Sequence, residues 1–190
     1  MGTRESTRTK LLDATDELLF AVGATHTPVD QILDRAGVSP ATLYRAYGSK
    51  EALIAAALDR RHGEWIETWD AAVARAADDR GRLLAVFDAL EDFRRRPVGA
   101  RWCAFLGTAS AYVDPPPVLA AAIRQDSESM RDRLRQLAKP VAGPQAAALA
   151  DAVMLLVSGE LAMRLRPGGA ATSGTARSLA ELLVDHPAGG

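Results

Sequence analysis

Two glycines, each followed closely by a serine, divide the N-terminal part of the chain into short segments and limit how it can fold. Gly37 begins the stretch Gly-Val-Ser-Pro (37–40), and Gly48 begins Gly-Ser-Lys-Glu (48–51). Glycine ends helices because it adopts the left-handed conformation without steric cost, and serine favours the capping position of the next helix. The pattern therefore predicts short helices in close succession, joined by tight turns, ahead of a longer fourth helix.

The two helices before Gly37 follow from apolar spacing and from capping residues. Leucines recur on one helical face between residues 6 and 22, which predicts the first helix. The second helix is expected to have Thr27 as its N-cap and Pro28 as its first residue, and to end at Ala36.

The third helix is predicted over residues 40–47, with Ser39 as its N-cap and only about two turns in length. Leu43 and Tyr47 lie four positions apart and form its inner face. The residues turned outward or to the side are Ala41, Thr42, Tyr44 and Arg45. Ser49 is expected to cap the fourth helix, which starts near Glu51.

The remaining sequence also predicts helices. Alanine is frequent and β-branched residues are sparse, so the chain is expected to be all-α with about nine helices. Further helices are expected to begin near residues 82, 102, 118, 145 and 175. The helix after Pro117 should end before Pro140, because proline interrupts helices.

Composition limits the compartment and the class of site. The apolar run 146–163 is interrupted by Asp151 and Glu160, and no apolar segment near the N-terminus is typical of a secretory signal. Cys103 is the only cysteine, which fits a reducing compartment and excludes an intramolecular disulfide. A cytoplasmic protein without membrane segment, metal or cofactor is expected. The net charge of −1 does not by itself indicate a nucleic-acid partner.

The second and third helices, residues 28–47, have the layout of a helix-turn-helix, whose second helix enters the major groove of DNA. Arg45 suits a guanine edge, and Thr42 or Ala41 suits a thymine methyl group. Phosphate oxygens are expected to be contacted by Tyr44, Thr27 and Lys50, and backbone contacts by Arg4, Arg8 and Lys10. The predicted DNA-binding residues are Thr27, Ser39, Pro40, Ala41, Thr42, Tyr44, Arg45 and Lys50.

The stretch 28–58 resembles the DNA-binding part of the TetR family of transcriptional regulators, and the likeness covers roughly residues 6–60. The matching residues are Gly37, Val38, Ser39, Leu43, Tyr44, Tyr47, Ser49, Lys50 and Glu51. One departure is Ala46, where relatives often carry a histidine or another polar or aromatic residue. The resemblance implies that a phosphate contact common in relatives is absent here, so DNA binding is expected to be weaker or to depend more on the N-terminal arm.

The resemblance also implies a domain division and a function. Residues 1–50 would form the helix-turn-helix DNA-binding domain, and residues 51–190 would form a helical domain for ligand binding and dimerisation. The protein would be a homodimeric repressor that binds a pseudo-palindromic operator through two copies of this domain. The last two helices would form the dimer interface, and a small hydrophobic or amphipathic effector would release the DNA.

Aromatic and polar residues in the C-terminal part are candidates for the effector site. These residues are His62, Trp65, Trp69, Phe87, Trp102, Phe105, Tyr112, Ser127, Met130 and Glu160. Ligand pockets are mostly apolar with a few polar groups. For any one of the aromatic residues, a place in an ordinary hydrophobic core is the commoner role.

Two other classes of protein remain to be compared with a regulator. A helical small-molecule-binding or scaffolding protein would use the helix-turn-helix only for packing. An enzyme is disfavoured, because His26, His62 and His186 are scattered and Cys103 has no evident histidine partner in sequence. The sequence also lacks a phosphate-binding loop and metal-ligand spacing.

Overall fold

The computed structural model describes residues 2–21, 27–96, 103–164, 166 and 173–186. Within these ranges the chain is helical and has no strand, which confirms the all-α prediction. The helices are α1 (Gly2–Thr15), α2 (Val29–Ala36), α3 (Pro40–Tyr47), α4 (Lys50–Arg75), α5 (Asp79–Arg94), α6 (Ala104–Ala111), α7 (Pro117–Ala142), α8 (Ala146–Met163) and α9 (Ser173–Asp185).

Helix α1 begins before the predicted first helix and ends in an unusual turn. Its last α-helical residue is Thr15, whose hydroxyl donates to the Leu11 carbonyl at 2.7 Å, and Asp16–Ala21 continue as a π-helical turn. No sequence pattern indicates the early start, because the polar residues before Leu11 carry no apolar periodicity. Residue 22, the predicted end of this helix, lies outside the described residues.

Helix α2 begins one residue later than predicted. Pro28 occupies the N-cap with an extended backbone (φ −57°, ψ 145°), and its side chain makes no capping hydrogen bond. The Thr27 side chain is buried, with only 2% of the residue exposed. The prediction that Thr27 is the N-cap residue of α2 is therefore wrong, because Pro28 occupies that position and the helix starts at Val29.

Two further boundaries differ from the predictions for identifiable reasons. Asp78 accepts a hydrogen bond from the Gly81 N–H at 2.7 Å, and this cap starts α5 at Asp79 instead of residue 82. Helix α7 continues through Pro140 to Ala142. Proline lacks one N–H, and so close to the helix end the loss is confined to the last turn.

The chain divides into two packing units that do not follow the predicted boundary at residue 50. The first packing unit comprises residues 1–63 and 97–124, and the second comprises residues 64–96 and 125–190. Helices α4 and α7 each supply residues to both units. The packing of α4 explains the difference, because its first half buries apolar residues with α1 to α3.

The first packing unit has two apolar clusters. One joins α1, α2, α3 and the start of α4 through Leu11, Ile32, Leu33, Leu43 and Leu53. The other joins the π-helical turn, α4, α6 and α7 through Leu19, Ile54, Leu58, Ala104 and Leu119. Each residue named has less than a tenth of its surface exposed, so burial of apolar surface stabilises this arrangement.

The second packing unit has one larger core built from the second half of α4 and from α5, α7, α8 and α9. Its largest fully buried side chains are Trp69, Phe87, Leu83, Leu84 and Leu134. Helix α9 is also attached to α5 by ion pairs, with Arg80 bound to Asp185 at 2.9 Å and Arg177 bound to Asp88 at 2.6 Å.

One helical stretch, Pro117–Met163, is long and apolar enough to cross a membrane by length and composition alone. A 3-10 turn, Gly143–Gln145, separates it into α7 and α8. Several residues of α8 are buried in the second core, among them Leu149, Val153 and Val157. Core helices pass the same test, so the finding is weak evidence for a membrane segment.

Candidate nucleic-acid interface

The turn between α2 and α3 is formed by backbone hydrogen bonds around Gly37. This residue has a φ of 65°, and its N–H donates to the Asp34 carbonyl at 3.2 Å. The N–H of Val38 donates to the Leu33 carbonyl at 3.1 Å. This pair of bonds is a Schellman motif, whose central residue must be left-handed. The predicted role of Gly37 is confirmed.

Helix α3 separates an inner face from an exposed face. Leu43 is fully buried, and Tyr47 and Ala46 pack against the same cluster while half-buried. The exposed residues of the helix are Pro40, Ala41, Tyr44 and Arg45. Tyr44 has 53% of its surface exposed, which is unusual for a large side chain with an apolar body. The exposed face thus offers one guanidinium and one phenol.

Ser39 is at the N-cap of α3, as predicted, but it does not cap the helix through its side chain. Its hydroxyl instead pairs with the Thr42 hydroxyl at 2.9 Å. A hydroxyl has one donor and two acceptor positions. Both side chains therefore retain hydrogen-bonding capacity beside the exposed face of α3.

The second glycine turn orders the junction between α3 and α4. Gly48 has a φ of 81°, and its N–H donates to the Tyr44 carbonyl at 2.9 Å. The Ser49 hydroxyl accepts from the Ala52 N–H at 3.0 Å, as expected for the N-cap of α4. The Lys50 ammonium donates to the Thr27 carbonyl at 2.7 Å.

The structure changes the expected roles of Thr27 and Lys50. The Thr27 hydroxyl is buried, so its side chain does not present a donor to a phosphate at the surface. Lys50 uses one of its three ammonium protons to hold the Thr27 carbonyl, which leaves two donors for another acceptor. The Lys50–Thr27 bond thus ties the start of α4 to the residue that precedes α2.

Arg8 on α1 contacts the end of α3. Its guanidinium donates to the Ala46 carbonyl at 2.6 Å and lies 5.2 Å above the centroid of the Tyr47 ring. The Tyr47 hydroxyl donates in return to the Arg8 carbonyl at 3.3 Å. Arg8 was expected to contact the DNA backbone, but here it makes intramolecular contacts. Lys10 is exposed, and the Arg4 side chain lies outside the described part of the chain.

A network of four charged residues lies between α1, its π-helical turn and α4, within the first packing unit. Arg60 binds Asp13 at 2.7 Å and also pairs with Asp16, while Arg61 lies 3.7 Å from Asp16. Burial raises the pKa of the Asp16 carboxyl above its usual value, against the opposing effects of Arg60 and Arg61. No sequence pattern indicates this network, because Asp16 and Arg60 are 44 positions apart in the chain.

The predicted effector residues fall into different packing units. His62, Phe105 and Tyr112 belong to the first, and the rings of His62 and Phe105 meet edge-to-face at 6.2 Å. The members in the second unit are Trp65, Trp69, Phe87, Ser127, Met130 and Glu160. Trp102 lies outside the described residues. The described members of the predicted effector set therefore do not all belong to one packing unit.

The aromatic members in the second unit are part of its core. The rings of Trp65 and Trp69 are 5.5 Å apart, and Phe93 lies edge-on to Trp65 at 5.8 Å. Arg133 covers the Trp69 ring at 4.7 Å. The Trp69 indole N–H is buried without a hydrogen-bond acceptor. Leaving a buried donor unpaired costs about 1–3 kcal/mol.

Glu160 is the most completely buried polar residue of the predicted effector set that the structure describes. One carboxylate oxygen pairs with Arg164, which also lies 3.4 Å from Glu91. The other oxygen, Oε2, is buried and has no hydrogen-bond partner. A buried acceptor in an apolar core is costly unless a donor reaches it.

Metal binding finds no support in the described ranges, where no group of three or more His, Cys, Asp or Glu side chains is arranged to hold an ion. Cys103 is half-buried at the N-cap of α6, where its sulfur accepts from the Leu106 N–H at 3.5 Å.

Comparison with known proteins identifies the helix-turn-helix region. Residues 11–57 match the family model described as bacterial regulatory proteins, tetR family. The chain is 31% identical over 143 residues to the HTH-type transcriptional activator FasR of Mycolicibacterium smegmatis, which covers 75% of this chain. The match spans 64% of the length of that relative.

Solved structures resemble nearly the whole chain. A TetR-family transcriptional regulator from Streptomyces coelicolor is 27% identical, with a TM-score of 0.84 over 95% of both chains. A TetR transcriptional regulator from Chloroflexus aurantiacus is 20% identical, with a TM-score of 0.81 over 98% of both chains. At its lower identity, the second supports the fold alone.

Proposed function

Since the chain belongs to the TetR family of bacterial regulatory proteins, we propose that it binds duplex DNA through α3 and regulates transcription in the cytoplasm. Proteins of this family are DNA-binding regulators and not enzymes. The observation that carries the proposal is the exposed face of α3, where Tyr44 and Arg45 project from a helix held by buried Leu43. A helix so mounted fits the major groove, in which arginine reads guanine.

The roles proposed for the residues of α3 rest on the chemistry of their side chains. Arg45 is the base reader, and Tyr44 contacts the phosphate backbone, since a phenol donates well to a phosphate oxygen. Ala41 and the Thr42 methyl are placed for apolar contact with thymine, with Pro40 and Ser39 at the helix start. Lys50 contributes with the donors that its bond to Thr27 leaves free.

The test measures DNA affinity by fluorescence anisotropy, with duplexes from the region flanking the coding sequence and with random duplexes. The variant Tyr44→Ala/Arg45→Ala is expected to bind the operator at least about tenfold more weakly, since a lost bidentate contact costs about 1–3 kcal/mol. Arg95→Ala is the matched control, because its side chain is 72% exposed and lies at the end of α5. Equal affinity of the Tyr44→Ala/Arg45→Ala variant and the wild type would refute the proposal.

The runner-up is a helical small-molecule-binding or scaffolding protein in which α2 and α3 serve packing alone. That protein would show no salt-dependent affinity for any duplex. The wild type is instead expected to lose affinity steeply with salt, by about 0.9 in log K per unit of log salt for each phosphate contacted.

We further propose a homodimer formed through α8 and α9. These helices pack on one another and still expose large apolar side chains. Leu155 on α8 is 73% exposed, and Leu182 and Leu179 on α9 are 58% and 46% exposed. A symmetric dimer would place two copies of α3 on half-sites about 34–36 Å apart, which is one turn of DNA.

Dimerisation is tested by light scattering after size-exclusion chromatography. Leu182→Glu is expected to yield monomers, because it buries a charge in the interface. Val113→Glu is the control, since Val113 is a fully exposed apolar residue outside the proposed interface. An unchanged mass for Leu182→Glu would exclude this interface.

A dimer on its operator represses by occupying DNA, which requires no contact with polymerase. We therefore propose repression, although the M. smegmatis relative is named an activator. Expression of a promoter–reporter fusion in cells with and without the protein distinguishes repression from activation. Higher reporter output in its presence would show activation.

Release by a small hydrophobic or amphipathic effector completes the proposal. Support comes from the aromatic interior of the second packing unit and from the unpaired Oε2 of Glu160 within it. An effector with a donor for this oxygen should raise the Tm and lower DNA affinity together. Glu160→Gln keeps the shape and is expected to alter which effectors act.

A further inference from the structure

We propose that Arg8 is a positioning residue for α3, which fixes the C-terminal end of this helix from α1 without touching DNA itself. This inference rests on the proposed DNA-binding function. It concerns the regulator's sequence discrimination, because discrimination requires that Arg45 and Tyr44 meet the bases and phosphates at a fixed angle.

Helix α3 needs such support because it is short. Its eight residues, Pro40–Tyr47, form about two turns, and helices of this length are not stable by themselves in water. Leu43 anchors the middle of the helix in the core. At its C-terminal end, Ala46 and Tyr47 are only half-buried against the same cluster, so a polar contact there restricts the direction of the helix further.

The contacts of Arg8 supply that second attachment. The last carbonyls of a helix lack intrahelical donors, and the Ala46 carbonyl receives its donor from the Arg8 guanidinium at 2.6 Å. A positive group at this end also interacts favourably with the helix dipole. The contact with α3 is therefore both a hydrogen bond and a charge–dipole interaction.

Tyr47 makes the attachment reciprocal. Its ring lies under the guanidinium at 5.2 Å, and its hydroxyl donates to the Arg8 carbonyl at 3.3 Å. Three contacts between one residue of α1 and two consecutive residues of α3 resist both sliding and rotation. The flat guanidinium is required for this arrangement, since it donates in its plane while it stacks on a ring.

The contact of Arg8 does not depend on the type of side chain at position 46. The Ala46 carbonyl, and not its side chain, is the group that Arg8 contacts. The small methyl packs against the first cluster beside Tyr47.

The experiment compares Arg8→Ala with Lys10→Ala, an exposed cation on the same helix that is expected to contact a phosphate. Lys10→Ala should therefore weaken binding to both duplexes alike and lower the salt slope by about 0.9. Affinity for operator and for random duplex is measured by anisotropy over a range of salt. Arg8→Ala is expected to weaken operator binding at least about fivefold, as one disturbed base contact would. Random-duplex affinity and the salt slope should stay near those of the wild type. If Arg8→Ala instead lowered the salt slope by about 0.9 and reduced the affinity for both duplexes equally, Arg8 would be a phosphate contact, and the proposal would be overturned.

Two further variants keep the test decisive if Arg8→Ala folds poorly. Arg8→Lys retains the charge but not the planar group, so it should still discriminate poorly between operator and random duplex. Full rescue by lysine would overturn the proposal. Arg8→Lys and Tyr47→Leu should also be non-additive in operator affinity, because each breaks the same attachment. Strictly additive losses would contradict it.

A measurement on the free protein separates this inference from the proposed function. The Arg8 guanidinium protons should show an upfield ring-current shift in NMR spectra that disappears in Tyr47→Leu. Absence of that shift in the wild type would refute the attachment itself. Absence of any salt-dependent DNA binding by the wild type would instead refute the proposed function.

Discussion

The N–H of Val38 donates to the carbonyl of Leu33 across Gly37, at 3.1 Å. Val38 and Leu33 also belong to one apolar cluster, so the hydrogen bond and the packing act on the same two residues. The chain therefore leaves α2 in one direction, and α3 starts from a defined point. The position of the exposed face of α3 depends on the left-handed backbone of Gly37.

Gly37→Ala is expected to destabilise the protein by about 1–2 kcal/mol, the cost of a left-handed conformation for a residue with a Cβ. No atom lies within 4 Å of the position that this Cβ would take, so the cost comes from the backbone alone. Urea denaturation of Gly37→Ala and the wild type measures this loss in the free energy of unfolding.

Gly63→Ala is the matched control. Gly63 lies inside α4, and a Cβ there would also meet nothing within 4 Å. The variant is expected to stabilise the protein by about 0.5–1 kcal/mol, because alanine favours helix. Effects of the same sign at Gly37 and Gly63 would contradict the explanation.

Neighbouring residues of α3 should differ in their effect on folding. Leu43→Ala is expected to cost about 2–5 kcal/mol, since Leu43 is fully buried among Leu11, Ile32 and Leu53. Tyr44→Ala, at an exposed position, should leave the free energy of unfolding within about 0.5 kcal/mol of the wild type. Urea denaturation compares the two. A large loss for Tyr44→Ala would indicate a role in packing instead of DNA contact.

Local signals explain why the helix-turn-helix was predictable. Gly37, Gly48 and Ser49 act on residues within five positions, so the sequence alone predicts the turns that they form. The attachment of Arg8 to Ala46 joins residues 38 positions apart, and no periodic or capping pattern reports such a contact. Fold and exposed face were therefore predictable, and the intramolecular role of Arg8 was not.

The aromatic residues of the C-terminal part show a second limit of prediction from sequence. Aromatic side chains at helical spacing indicate burial, and Trp69 and Phe87 are buried as that spacing requires. Whether a buried aromatic lines a ligand site or fills a core depends on contacts between helices that are distant in sequence. The predicted effector set accordingly divides between the two packing units.

Buried and exposed ion pairs should contribute differently to stability. Arg164→Ala is expected to cost about 3–5 kcal/mol, because it leaves the fully buried Glu160 carboxylate without its cation. Arg80→Ala, which breaks the exposed pair with Asp185, should change stability little at any salt concentration. Thermal and urea unfolding measure both.

The double variant Glu160→Leu/Arg164→Leu tests whether the stability loss in Arg164→Ala comes from the unpaired charge of Glu160. If burial of an unpaired charge produces the loss, removing both charges should recover much of the stability lost in Arg164→Ala. A double variant as unstable as Arg164→Ala would show that packing of the arginine stem is responsible.

The buried Asp16 should make stability depend on pH in an unusual direction. Burial raises the pKa of its carboxyl above the ordinary 3.8, although Arg60 and Arg61 lower it in part. Between that raised pKa and 3.8, the folded protein binds a proton at Asp16 and the unfolded chain does not. The contribution of Asp16 to the free energy of unfolding therefore increases as the pH falls through this range.

Asp16→Asn lacks this contribution. The free energy of unfolding of the wild type minus that of the variant, from urea denaturation between pH 7 and pH 4, should grow as the pH falls. Asp30→Asn removes the same charge from an exposed position on α2, and its effect is subtracted as the control. A difference that shrinks toward low pH would mean that pairing with Arg60 outweighs burial, since a carboxyl with a lowered pKa loses its stabilising effect on acidification.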